Sequence, residues 1–160
     1  MKTKREVTAE LTKLLEIKKE KLEYILQLTR EQGAAIDRGD LEWLSKMIEL
    51  KENAIREIDG LDARFSQSCK GLYEENLSVP WLQVEDGVDD SWKALRMEIS
   101  QINGILEKIR ILDDANRRNA NKWMGALKEK IRSVKQGQKG IGAYKGSIPK
   151  DISVFMDYKE

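Results

Sequence analysis

Histidine is absent from this 160-residue chain, and cysteine occurs once, at Cys69. These two shortages remove much chemistry. A zinc site of Cys and His ligands cannot be assembled within one copy. A di-iron site built from Glu-x-x-His motifs in a helical bundle is excluded. Ser-His and Cys-His nucleophile pairs are excluded too. Carboxylate-only sites stay open, but no spacing marks one. The expectation is therefore no enzyme, no metal and no cofactor. A lone cysteine forms no intramolecular disulfide, which suits a reducing compartment. Cys69 itself reads as a small buried apolar residue.

Long apolar runs are missing as well. No 18 consecutive apolar residues occur, so no membrane insertion is expected. Residues 1–20 lack the apolar core of a signal peptide, and a cytoplasmic location follows as an expectation. The 29 Lys and Arg nearly balance the 28 Asp and Glu, leaving a net charge of +1. Bulk charge therefore does not recruit nucleic acid. The only prolines, Pro80 and Pro149, stand outside the periodic stretches. What remains is 36% charged and 40% hydrophobic, a Glu/Lys/Leu-rich balance that favours long helices or coiled coil.

Apolar residues recur at steps of three and four from Val7 through Leu11, Leu14/Leu15, Leu22, Ile25 and Leu28 to Ile36, one stripe on one helix face. Lys18 interrupts it, with an alkyl stem able to cover apolar surface. After Gly39 and Asp40 the stripe restarts with Leu41, Leu44, Ile48, Lys51, Ile55, Ile58 and Leu61, and continues to Phe65, Cys69 and Leu72. Gly39 suits the left-handed position just past a helix end, and Asp40 can cap the next helix. With so short a link, the two helices fold back as an antiparallel hairpin. A continuous kinked rod is the alternative.

Residues 76–91 break the pattern. Pro80 disfavours helix at Val79, and Trp81 beside it is a candidate contact residue. Asp89, Asp90 and Ser91 are possible N-caps for a third helix. Its stripe runs Trp92, Leu95, Ile99, Ile102, Leu106, Ile109, Leu112, Asn116, Ala120, Trp123, Leu127, Ile131 and Val134. From Gly137 on, glycines dominate an irregular tail. The fold expected is all-α: a long antiparallel helical hairpin, about 5–38 and 40–75, plus a long third helix, about 90–136. It makes a three-helix bundle or coiled coil, with a bundle domain 1–136 and a flexible C-terminal tail 137–160.

Three features are candidates for function. The first is polar: Asn116 falls on the apolar seam, with Asn119 just beyond. A buried seam asparagine fixes register and partner choice, or it marks where the bundle's own packing weakens and a binding surface begins. The second is basic: Lys122, Lys128, Lys130, Arg132, Lys135, Lys139, Lys145 and Lys150 face a single acid, Glu129, over residues 122–150. Nucleic-acid contact, an acidic protein partner and a solvated helix face are all readings of it. Helix-turn-helix, zinc-knuckle and aromatic-platform signatures are missing. The third is the glycine-rich "GQKGIGAYKG", which lacks the strand and following helix that a phosphate loop needs.

Four stretches resemble the bacterial flagellar export chaperones of the FlgN type. "LQLTREQGAAIDRGDLEWLSKMIELKENAIREIDGLD" (26–62) is similar to that family's first helical hairpin, with Lys51 in the second helix. "LDDANRRNANKWMGALKEKI" (112–131) resembles its Asn-x-x-Asn stretch, here Asn116 and Asn119. "GAYKGS" (142–147) and "SVFMDYKE" (153–160) resemble its tail elements. The resemblance implies a cytoplasmic chaperone for the first and third hook-associated proteins, the hook–filament junction proteins. It would bind their amphipathic C-terminal helices and prevent premature assembly before export. Candidate client-binding residues are Asn116, Asn119, Trp123, Leu127, Ile131 and Val134. Candidate contacts to the flagellar export apparatus are Tyr144 and Phe155. A sister chaperone for cap or filament subunits and a coiled-coil scaffold without client are alternatives, and a client-free homodimer is a further option.

Overall fold

A computed structural model of the chain describes residues 3–74 and 90–141. Three helices occupy them: α1 (Lys4–Arg38), α2 (Leu41–Glu74) and α3 (Asp90–Ile141). The chain divides into two compact units, residues 1–119 and residues 120–160, with the boundary inside α3.

Each end of the hairpin is chemically specified. Thr3 opens α1 with a capping box. Its Oγ1 accepts from the Glu6 N–H at 3.2 Å, and its own N–H donates to Glu6 Oε2 at 2.9 Å, so two of the orphan amides find partners. At the other end Gly39 takes φ 67° and ψ 26°. The Gly39 N–H donates to the Ile36 carbonyl at 3.1 Å and the Asp40 N–H to the Ala35 carbonyl at 2.9 Å. This pair of bonds is a Schellman closure. Asp40 Oδ1 then accepts from the Trp43 N–H at 3.0 Å, capping α2. One residue thus ends a helix and the next begins one, and the rod alternative is excluded.

The core of the first unit draws on all three helices. Leu11, Leu15, Leu22, Ile25 and Leu26 of α1, Ala54 and Ile58 of α2, and Leu95, Ile102 and Ile109 of α3 form one buried cluster. Phe65, Cys69, Trp92, Ile99 and Leu112 pack against it. Partial burial pushes the Cys69 thiol up from its ordinary value. Among the described residues no helix is long and apolar enough to cross a membrane.

Two expectations need correction. On α2 the buried row is Met47, Ala54, Ile58 and Leu61, while Ile48 and Ile55 stand 41% and 43% exposed. Ile58 and Leu61 of the anticipated seam are buried, but before them Met47 and Ala54 take the buried positions expected of Ile48 and Ile55. Both rows recur at steps of three and four, so spacing alone does not choose between them. Lys51 lies between the rows, and its amine bonds to Gln32 Oε1 on α1 at 3.1 Å and Asp113 Oδ1 on α3 at 2.6 Å. The second correction is the end of α3. It runs to Ile141, through Gly137 and Gly140. A glycine costs a helix about 1 kcal/mol relative to alanine but does not sterically bar it.

Polar ties set how the helices meet. Lys18 reaches Asp62 on α2 at 2.7 Å, and Lys21 pairs with Glu57 on α2. Lys19 Nζ donates to Glu98 Oε1 at 3.0 Å and Gln101 Oε1 at 2.9 Å, both on α3. The Glu98 hydrogen bond raises the Lys19 pKa. Further along, Asn116 enters a notch on α1. Its Nδ2 donates to the Thr29 carbonyl at 2.9 Å. Its Oδ1 lies only 2.7 Å from where a Cβ on residue 33 would sit, so Gly33 is what admits it. Thr29 is fully buried, with its Oγ1 bonded to the Ile25 carbonyl at 2.7 Å.

Two predictions follow from this packing. Leu95 is 1% exposed, and Leu95→Ala should cost about 3 kcal/mol in urea unfolding. Ile48→Ala, on the exposed row, should cost under about 1 kcal/mol. In a double-mutant cycle, Gly33→Ala should stabilise the Asn116→Ala background by about 1 kcal/mol through helix propensity. In the wild-type background that gain should vanish or reverse, a coupling of roughly 1–2 kcal/mol. Additive effects would remove the notch from the account.

Candidate interaction surface

The six residues singled out on α3 fall into two groups. Asn116 is half-buried in the first unit, and its amide is engaged by Thr29 of its own chain. Asn119, the last residue of that unit, is exposed. Their three-residue spacing puts them on neighbouring faces of one helix. The structure gives Asn116 an internal partner in the Gly33 notch. Two sequence signals bear on that notch: a glycine inside α1, five residues before its end, without turn chemistry around it, and a threonine one turn earlier.

The other four lie in the second unit. Ala120, Trp123, Leu127 and Ile131 are half-buried, Met124 is buried, and Val134 is 58% exposed. At steps of four, four and three, Trp123, Leu127, Ile131 and Val134 share one helix face. Lys122, Lys128, Lys130, Arg132 and Lys135 are exposed around that face. The only acid among them, Glu129, pairs with Arg132 at 3.6 Å. The result is a basic amphipathic segment whose face carries apolar side chains that water still partly reaches. Tyr144 and Phe155, the candidate tail contacts, lie outside the described residues, as do Trp81 and Asp89.

A surface of this kind holds a partner without bond chemistry. Two exposed apolar positions were not anticipated as surface: Ile48 and Ile55 of α2, read from sequence as seam. Leu106 of α3, also placed in the seam, is 42% exposed. Among the described residues no group of three His, Cys, Asp or Glu side chains could hold a metal ion.

A family model described as FlgN protein matches residues 1–147. No curated protein and no solved structure matches the chain. The family match covers the capped hairpin, the Asn116 notch and the whole of α3 with its apolar face, and it is a chaperone family rather than an enzyme family. The chain belongs to the FlgN family and is a flagellar export chaperone.

Proposed function

We propose that this chaperone acts in the cytoplasm on hook-associated proteins, the first and third, by holding their amphipathic C-terminal helices. The observation that carries this reading is the half-covered apolar face of Trp123, Leu127, Ile131 and Val134, in a chain that belongs to the FlgN family. An amphipathic client helix lays its own apolar face against such a surface, anchored at positions three and four apart. Covering that face keeps the client from assembling or aggregating before export. Exposed lysines around the face steer helices with acidic flanks and set the pairing register. Asn119 lies at the start of this surface. Asn116, tied to Thr29, acts as a positioning residue for the helix that bears it. Delivery to the export apparatus through Tyr144 and Phe155 belongs to the same proposal.

The test separates binding from folding. Val134 is the most exposed member of the face, so Val134→Asp should leave the Tm within about 2 °C. The same change should weaken binding of a hook-associated C-terminal helical peptide by tenfold or more, about 1.4 kcal/mol. Ile131→Asp should weaken binding at least as much, with a somewhat larger drop in Tm. Calorimetric titration showing wild-type affinity in both variants would move the client off this face.

A further inference from the structure

The second unit sets charge of one sign along both edges of its apolar row. Residues 120–138 hold five bases, Lys122, Lys128, Lys130, Arg132 and Lys135, against one acid, Glu129. All six are exposed. Arg132 takes up Glu129 at 3.6 Å, and among the described residues the four lysines form no ion pair. Lys128, Arg132 and Lys135 each follow a member of the apolar row, Leu127, Ile131 and Val134, by one residue. One residue is about 100° of helix, so these three bases line one shoulder of the row. Lys130 follows Trp123 by seven residues, within about 20° of it, and stands on the other shoulder.

A partner must therefore meet an apolar line and two positive edges together. Nucleic acid pairs with the lysines but leaves the row in water, Val134 above all at 58% exposed. The interfacial zone of an anionic bilayer satisfies both. The row enters the acyl boundary, and lysines on either edge extend along their alkyl stems to the phosphates. Trp123, at one end of the row, has the amphipathic ring that suits the headgroup level. The row from Trp123 to Val134 is about 16 Å long, three turns of helix. No helix among the described residues is apolar enough to cross a membrane, so this segment lies in the plane of the surface.

We propose that residues 120–138 hold the chain on an anionic phospholipid surface, with Leu127, Ile131 and Val134 toward the acyl boundary and Lys128, Lys130 and Lys135 on headgroup phosphates. One short row with a few bases gives reversible attachment. This goes beyond the client reading and sets a condition on it. The same apolar row does not hold a client helix and a bilayer together, so an anionic membrane competes with a helix bound there.

Flotation of the client-free full chain with vesicles tests this. Vesicles of equal parts phosphatidylglycerol and phosphatidylcholine should carry the chain, and phosphatidylcholine alone should bind it about tenfold more weakly or worse. Raising salt from about 0.05 to about 0.5 M should weaken binding to the mixed vesicles about tenfold. Lys128→Glu with Lys135→Glu should lose about tenfold or more while keeping its helical circular dichroism, since both side chains are exposed. Val134→Ser leaves every charge in place and should weaken binding roughly threefold. A wild-type chain that does not float with the mixed vesicles would overturn the inference. So would wild-type binding by the charge-reversed pair, or a Val134→Ser chain that floats as wild type, which would leave bare charge attraction. Binding to a duplex oligonucleotide in place of vesicles would assign the bases to nucleic acid and overturn it as well. No client is present in these measurements, so they stand or fall separately from the client reading.

Discussion

A single left-handed residue, Gly39, is the constraint on which the first unit is built. Any residue with a Cβ pays roughly 1–2 kcal/mol for that conformation, and glycine avoids it. Because the Gly39 and Asp40 amides close α1 while the Asp40 side chain opens α2, there is no slack in the connection. The two helices must run antiparallel and side by side. Their facing rows then leave one trough, and Leu95, Ile102 and Ile109 of α3 fill it. A longer, looser link would satisfy the same apolar rows in several registers.

Register is refined by polar atoms rather than by the apolar rows. Lys18, Lys19 and Lys21 are near neighbours on α1, yet they divide between α2 and α3. That division fixes the rotation of α1 between its two partners. Partly exposed pairs of this kind contribute little energy individually. Their effect is to penalise the alternatives, because a turn of slip separates every lysine from its carboxylate. The Asn116 notch does the same work by shape. A side chain that fits only where residue 33 lacks a Cβ allows one axial position of α3.

Most of the architecture is legible from residue order. The Gly-Asp pair signals the turn, the step-three-and-four rows signal three helices, and Asn116 stands out as polar on an apolar seam. The seam of α2 ahead of Ile58 and Leu61 is not legible, because Ile48–Ile55 and Met47–Ala54 both lead by spacing into that buried pair. The decision lies in Lys51, whose amine must reach both Gln32 and Asp113. It also lies in Ala54, which is buried in the cluster shared by all three helices. Neither fact exists until the helices are placed in space. The Gly33 notch is hidden for the same reason: its partner is more than 80 residues away. The end of α3 is missed because glycine content was read as a stop, whereas glycine only weakens a helix. The apolar face on α3 was readable throughout, since it follows from spacing alone.

A chaperone must hold its client and later let it go, and the chemistry this chain lacks matters less than the imbalance it keeps. Apolar residues left half-covered on α3 and open on α2 cost the chain solubility that polar residues would have supplied. Nothing in the fold of the first unit requires Ile48, Ile55 or Leu106 to be apolar, because the core closes without them. On α2 the exposed Glu49, Glu52 and Asp59 stand near these apolar positions and keep that side of the helix hydrated. On the proposed reading, non-directional apolar contact gives the holding strength. Exposed charges around it set partner choice and encounter rate without adding much affinity. Contacts of that composition release when a competing apolar surface arrives, which neither a covalent bond nor a fully buried ion pair would allow as readily.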